Sequence, residues 1–178
     1  MSSLTASDRS ALIKLASSLP AGSPERRTIL AGLQNVHRHS SDEPNVEGVH
    51  ILGDRARVFD TAMVYGRATV SENAEVYDDA HVLGDAKVSG DAKVYEDAEV
   101  YGDAEVFGEA KVYGQAKVYG NANVSGNANV FDEAHVRGNA RLFGNAYIGG
   151  DAVILGGNWN GREGSITSGR WKGPGIPA

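Results

Sequence analysis

Two histidines in the middle of this chain have neighbours that could orient a catalytic base. His81 follows Asp79 by two residues, and His135 follows Glu133 at the same spacing. On a β-strand, residues two apart point to the same side, so each pair could place a carboxylate beside an imidazole that accepts a proton. The alternative is that both histidines are surface residues, because equivalent places along the chain hold Glu, Lys or Met. We therefore keep His81 and His135 as the alternative catalytic candidates, and the leading prediction names no catalytic residue.

Acidic residues form the second group that could do chemistry. Stacked like charges cost stability, so solvent, the nearby Lys117 or a hard cation such as Ca²⁺ should offset them. The alternative is a solvated corner in which Asp is used for its turn geometry. His37, His39 and His50 could also chelate, but they lack further ligands at fixed spacing. The sequence predicts no metal and no cofactor, and if a metal does bind, its ligands are expected among Asp60, Asp78, Asp79, Glu96 and Asp97.

These residues belong to a six-residue repeat that runs from Leu52 to Ile154 without an insertion or deletion. Its consensus is V-Y-G-D/N-A-x, with an aliphatic residue at the first place and alanine at the fifth, from Ala56 to Ala152. All offsets between these apolar places are even, which suits the two-residue period of a strand. The recurring Gly, Asn and Asp disfavour a helix and tolerate the positive φ of tight corners. The repeat predicts a parallel β-helix with three sides per coil and about six coils, roughly 29 Å long.

The strict V-x-G-N-A-x pattern resembles the hexapeptide-repeat family, whose members form left-handed parallel β-helices of triangular section. The loop-free form is most similar to members that carry a transferase label. The resemblance implies a left-handed winding. It also implies, as an alternative function, a trimer that uses acyl-CoA, with His81 or His135 as the base near a subunit contact. The absence of any excursion loop within the repeat argues against that alternative, because functional residues are commonly on loops.

A coil of eighteen residues assigns each outer residue to a face. One face has an aromatic residue at the second place of successive coils, and another has Tyr65, Leu83, Tyr101, Tyr119 and Arg137. Such a column could be an interface that a partner covers, or it could simply stabilise the rod by cross-strand stacking. The interface candidates on the rod are Phe59, Tyr77, Tyr95, Tyr113 and Phe131.

The N-terminal segment has a different pattern. Residues 7–34 predict two short helices, with helix-start signals at Ser7 and at Ser23-Pro24-Glu25. Their apolar side is predicted to bind a partner or another copy. These interface candidates are Leu12, Leu15, Leu19, Ile29, Leu30 and Leu33.

The predicted organisation has four parts. These are a helical hairpin arm over 1–36, a linker over 37–51, the β-helix over 52–157 and a Gly-rich cap or tail over 158–178. Trp159 returns to the repeat register and is predicted to plug the open end of the β-helix.

Composition limits the function classes. The chain has 178 residues, no cysteine and a net charge of −6, so neither disulfides nor Cys-based metal sites are possible. Residues 51–153 contain nine Lys or Arg and seventeen Asp or Glu. This acidic rod disfavours nucleic acid as a partner. No run approaches the ~18 apolar residues of a membrane span, and no signal peptide is recognised, so we expect a cytoplasmic protein or one assembled into a particle.

Together these patterns favour a non-catalytic function. The prediction is a rigid acidic β-helical rod that joins a larger assembly, such as a phage-type particle, through its N-terminal helices. Its partner would be another protein or another copy of the chain, bound through residues 7–34. The alternative is the acyl-CoA-dependent, acyltransferase-like trimer implied by the resemblance.

Overall fold

The six-residue repeat folds into short strands at six-residue intervals. The structure is a computed structural model and describes residues 50–52, 55–174 and 176–177. From Arg57 to Ile154 a new strand begins at every sixth residue. The strands form a left-handed parallel β-solenoid of about six turns, and no helix occurs in the described part of the chain. The prediction of an all-β solenoid is therefore confirmed.

Three sheets form the three sides of the solenoid, and from β1 to β21 every third strand belongs to the same sheet, whereas β22 pairs antiparallel with β21. Sheet A contains β1 (His50–Leu52), β4 (Thr69–Ser71), β7 (Lys87–Val88), β10 (Glu105–Val106), β13 (Asn123–Val124), β16 (Arg141–Leu142) and β19 (Asn158–Trp159). Sheet B contains β2 (Arg57–Val58), β5 (Glu75–Val76), β8 (Lys93–Val94), β11 (Lys111–Val112), β14 (Asn129–Val130), β17 (Tyr147–Ile148) and β20 (Ser165–Ile166). Sheet C contains β3 (Met63–Val64), β6 (His81–Val82), β9 (Glu99–Gly102), β12 (Lys117–Gly120), β15 (His135–Val136), β18 (Val153–Ile154), β21 (Arg170–Gly173) and β22 (Ile176–Pro177).

The coils stack with each repeat place above the same place in the next coil. In sheet C, for example, Val82 pairs with Val100, and Val100 pairs with Val118. Backbone N–H groups donate to carbonyls of the following coil, as Tyr95 does to Val112 at 3.0 Å. This pairing satisfies the backbone along the rod without loops, because each coil supplies the hydrogen-bond partners of its neighbours.

The core is a narrow channel filled by the first and fifth residues of each unit. Val100 and Ala104 both have a relative exposure of 0%. Valine is β-branched and suits the pleated surface of a strand. Alanine is small enough for the three sides to converge. The even spacing of the apolar residues therefore identified the buried residues correctly from Val64 to Ile154, whereas Val58 and Ala62 near the N-terminal end are only partly buried.

The corners need a left-handed residue at the third place of each unit. Gly102 has a φ of 74°, and a Cβ there would lie 3.1 Å from the backbone nitrogen of Gly120. On other corners the same conformation is adopted by acidic residues, at a cost of about 1–2 kcal/mol per residue. These residues are Asp60, Glu72, Asp78, Glu96 and Asp132.

The two ends depart from the strict period. At the N-terminal end Ile51, and not Leu52, is the Cα partner of Val70, so the first side has one residue more than the repeat predicted. At the C-terminal end Trp159 pairs with Leu142 and is 1% exposed, which confirms its predicted place as an end plug. Strands in solenoid register continue past residue 157, because Trp171 pairs with Ile154.

Some predictions lie outside the described residues. These are the helical hairpin over 7–34 with its six apolar residues, and the linker over 37–49 with His37 and His39. In the described ranges no helix is long and apolar enough to cross a membrane.

Candidate functional site

The aromatic ladder of sheet B is the longest column of stacked rings among the described residues. We define it as Phe59, Tyr77, Tyr95, Tyr113 and Phe131. The rings of Tyr77 and Tyr95 are 4.9 Å apart and nearly parallel, with an interplanar angle of 2°. The remaining steps of the ladder are 4.9, 5.0 and 5.4 Å. The stacking predicted from the eighteen-residue coil is therefore present.

Burial raises the pKa of the phenols in this ladder. It is the first cause of the shift at Tyr77, Tyr95 and Tyr113. The pKa of Tyr113 rises to about 12, where the neighbouring Tyr147 adds to the effect of burial. The ladder therefore presents a half-buried, uncharged strip on an otherwise acidic rod.

The end of the ladder shows how closely the rings fit the backbone. Phe131 lies over Gly149, where an added Cβ would be 2.2 Å from the Cζ atom of the phenylalanine ring. Tyr147 then packs against Phe131 with a centroid distance of 4.5 Å and a tilt of 54°. Glycine at position 149 is thus needed for space, since any side chain there would displace the last ring.

A shorter ladder lies on sheet C. Tyr101 and Tyr119 stack at 4.7 Å, and the guanidinium of Arg137 lies 5.9 Å from the centroid of Tyr119. This places Tyr101, Tyr119 and Arg137 on one face, as the coil length predicted. The contact is typical of a cation–π interaction.

The two candidate histidines lie on this tyrosine face and not on the acidic one. His81 is in β6 and His135 is in β15. The spacing predicted that each histidine lies beside its acid, but Asp79 and Glu133 lie in the turn at a corner, whereas the histidines begin the strands of the next side. His81 contacts Tyr65 edge-on at 6.4 Å, and His135 contacts Tyr119 in the same way at 6.1 Å.

The carboxylate–imidazole pairs that the spacing suggested are not formed. Among the described residues, no hydrogen bond or ion pair joins His81 to Asp79 or His135 to Glu133. Burial, followed by the charges of Lys117 and Arg137, lowers the pKa of His135 despite the opposing effect of nearby carboxylates. The surroundings of His135 therefore disfavour its protonated form, and among the described residues no acid is bonded to it that would orient it as a base.

The acidic corner has an architectural explanation. The Asp78 carboxylate accepts the backbone N–H of Glu96 at 3.2 Å, and the Glu96 carboxylate accepts the N–H of Gly114 at 2.8 Å. Asp132 does the same for Gly150 at 3.1 Å. Each of these acids accepts a hydrogen bond from the backbone N–H of the left-handed residue in the next coil. The sequence alone did not predict this role for the acids at the third place.

The carboxylates do not gather around a metal position. Asp79 accepts a hydrogen bond from the Thr61 hydroxyl. Lys117, which was expected to offset the corner, instead pairs with Glu99 on sheet C at 2.9 Å. In the ranges that the structure describes, no group of three or more His, Asp or Glu side chains could hold a metal ion.

Ion pairs elsewhere on the rod also link neighbouring coils. They join residues at equivalent places, eighteen positions apart, and each pair that is well exposed contributes only about 0–1 kcal/mol. The pairs are Arg57–Glu75, Lys93–Glu75, Arg67–Asp85, Lys87–Glu105 and Lys117–Glu99.

The C-terminal end carries a shallow concavity of about 500 Å³. Trp159, Ile166 and Trp171 line it, and each pairs with an inward residue of the coil below. The concavity is therefore the last layer of the core, open at the end of the rod. Sequence reasoning found Trp159 but missed Ile166 and Trp171, because the period becomes irregular after Ile154.

Comparisons with known proteins add no relative. No family model, no curated protein and no solved structure matches the chain. The resemblance to hexapeptide-repeat proteins therefore stays a prediction from the repeat.

Proposed function

We propose that this protein is a non-catalytic interaction rod that joins a larger assembly through its N-terminal segment, residues 7–34. The main support is the uninterrupted stacking of coils from Arg57 to Ile154. A solenoid without excursions is a stiff spacer, because each coil hydrogen-bonds only to its neighbours. Its outer surface is then available to partners along its whole length.

The use of the polar groups supports the same proposal. Asp78, Glu96 and Asp132 bind backbone N–H groups, so these acids contribute to the architecture of the rod. The aromatic ladder of sheet B offers a half-buried apolar strip that a partner could cover.

Light scattering tests the attachment through the N-terminus. The full chain and a chain lacking residues 1–40 are compared by size-exclusion chromatography over a range of concentrations. We expect the full chain to self-associate, or to bind a partner, and the shortened chain to lose that association while keeping its β-rich circular dichroism spectrum. Identical monomers in both cases, with no partner retained by the full chain, would overturn the proposed attachment.

The acyl-CoA alternative has its own test. A ligand present at 100 times its Kd stabilises the folded state by about 2.7 kcal/mol, which thermal unfolding detects readily. We expect millimolar CoA and acetyl-CoA to leave the melting temperature unchanged. A rise that is lost in His135→Ala or His81→Ala would instead favour the acyltransferase-like trimer.

A further inference from the structure

Arg137 is a half-buried arginine without a counter-ion. It directly follows β15 on sheet C, and its guanidinium forms no ion pair and no hydrogen bond among the described residues. Its Nε atom is buried and lacks an acceptor, whereas its two Nη atoms are unpaired but remain accessible. Buried polar groups are normally hydrogen-bonded, because an unpaired donor costs free energy. The rod therefore holds this charge in place without supplying the group that it would bind.

The neighbours of Arg137 on sheet C are aromatic and aliphatic. In the register of the sheet, Tyr119 lies in the coil before Arg137 and Leu155 lies in the coil after it. The guanidinium carbon is 5.9 Å from the centroid of the Tyr119 ring. His135 points to the same side of the strand as Arg137 and contacts the Tyr119 ring edge-on at 6.1 Å. The free Nη atoms are thus bordered by apolar surface.

The local charge is positive although the rod as a whole is acidic. Lys117 lies next to His135 in the preceding coil and is paired with Glu99 at 2.9 Å. At His135 the charges of Lys117 and Arg137 lower the pKa more than those of Glu99 and Glu133 raise it. The field on this part of sheet C is therefore positive, even with the exposed Glu133 included.

The unpaired acids lie away from the guanidinium. Glu133 is in the turn before β15, four residues from Arg137, which is roughly 13 Å along an extended chain. At the corner that follows Arg137, the fourth-place residues are Asn139 in the same coil and Asn121 in the coil before, and a hydrogen bond of 3.4 Å joins them. The next acid at that corner is Asp103, two coils or roughly 9.6 Å away.

We infer that sheet C has a binding site for a small organic carboxylate with an apolar body, formed by Arg137, Tyr119, His135 and Leu155. The carboxylate accepts hydrogen bonds from the two Nη atoms of Arg137, in the bidentate geometry that a guanidinium favours. Tyr119 and Leu155 contact the apolar body. A single uncompensated cation matches a monovalent carboxylate better than a doubly charged phosphate. The inference goes beyond the proposed function of the rod and does not rest on it.

Benzoate is the probe for this site in the full chain. It is titrated to about 50 mM, with chloride keeping the ionic strength constant, and amide shifts are followed in ¹H–¹⁵N NMR spectra. Benzamide, which has nearly the same shape without the charge, is the control. We expect saturable shifts centred on Tyr119, Arg137 and Leu155 with benzoate only, at a Kd on the order of 10 mM. Acetate should bind at least about five-fold more weakly, because it buries less apolar surface.

Two arginines separate the site from the general effect of a positive charge. Arg137→Gln should weaken benzoate binding at least about five-fold. Arg141→Gln is the matched control, because Arg141 is exposed on sheet A and also has no ion pair among the described residues. It should leave benzoate binding unchanged.

A third variant tests whether the charge of Arg137 serves the fold. Arg137→Met keeps a long side chain that can pack against Tyr119 and removes the unpaired donor. Thermal unfolding should therefore give a melting temperature equal to or above that of the wild type. A melting temperature lowered by several degrees would overturn the inference, because the guanidinium would then have a structural role within the rod.

Four binding results would also overturn the inference. They are the absence of saturable shifts at about 50 mM benzoate, equal shifts with benzamide, equal losses in Arg137→Gln and Arg141→Gln, and tighter binding of inorganic phosphate than of benzoate. None of these measurements involves residues 1–40, so failure of the carboxylate site and failure of the N-terminal attachment can be told apart.

Discussion

The hydrogen bond from Gly114 to Glu96 offers a direct test of how the acidic corner is built. The Glu96 carboxylate accepts this backbone N–H at 2.8 Å, while Glu96 itself has a φ of 58°. Glu96→Ala removes the acceptor and keeps the left-handed backbone. Glu96→Gly removes the acceptor but relieves the left-handed strain, and Glu96→Gln keeps an acceptor without the charge.

The three variants are expected to differ in their free energy of unfolding. An exposed hydrogen bond of this kind contributes about 0.5–1.5 kcal/mol, and a left-handed residue with a Cβ costs about 1–2 kcal/mol relative to glycine. We therefore expect Glu96→Ala to lower the free energy of unfolding by about 1 kcal/mol, which is roughly 2–4 °C for a chain of this size. Glu96→Gly should be close to the wild type, because the two effects offset each other, and Glu96→Gln should lie within about 0.5 kcal/mol of it.

Urea unfolding of the full chain at constant ionic strength measures these differences. Asp97→Ala is the matched control, since it removes an adjacent acidic charge that is exposed and has no hydrogen bond among the described residues. If Glu96→Ala and Asp97→Ala have equal effects, the loss is one of charge and the hydrogen bond contributes nothing. If Glu96→Gly is as unstable as Glu96→Ala, the left-handed conformation is not a source of strain and the reasoning fails.

Three further predictions concern the ladder, the corners and the phenols. Tyr95→Ala removes two stacking contacts, of 4.9 and 5.0 Å, and should lower the unfolding free energy by about 1–3 kcal/mol. Phe59→Ala removes one contact and should lose about half as much, so equal losses in urea unfolding would contradict a contribution from stacking. Gly114→Ala places a Cβ 2.7 Å from the Asp132 nitrogen at a φ of 71°, whereas Gly164→Ala at 76° meets nothing within 4 Å. Thermal unfolding should therefore show the larger loss at position 114. Burial raises the pKa of Tyr113 from 10.0 to about 12, so the folded state should lose stability relative to the unfolded state as pH rises from about 10 through about 12, where ionisation is favoured only in the unfolded chain. Absorbance titration of the wild type and Tyr113→Phe should show the missing late-titrating phenol.

The fold followed from the sequence because the repeat imposes one geometry at every step. The spacing between valine at the first place and alanine at the fifth is compatible only with the two-residue period of a strand. Because each side has six residues and each coil has three sides, residues eighteen positions apart lie above one another. Val100 above Val82 and Tyr95 above Tyr77 were predictable for this reason. The prediction of core residues failed at the two ends, where the six-residue period is lost. Ile51, and not Leu52, is the Cα partner of Val70, and Trp171, which pairs with Ile154, was not identified as a core residue.

The candidate sites depended on finer geometry. Sequence spacing placed His135 beside Glu133, but Glu133 lies in the turn at the corner and His135 begins the strand that follows it, where the histidine meets Tyr119 instead. The third-place acids looked like a repulsive cluster, because sequence alone does not show that Glu96 reaches the N–H of Gly114 in the next coil.

The amino-acid sequence by itself determined the coil length, the buried residues and the aromatic columns, since these depend only on a period that every unit repeats. The tertiary structure decided which sheet each polar residue joins and what each carboxylate binds. Those properties depend on where the chain turns and on contacts between residues eighteen positions apart, and a turn displaced by one residue changes the neighbours of every side chain that follows it.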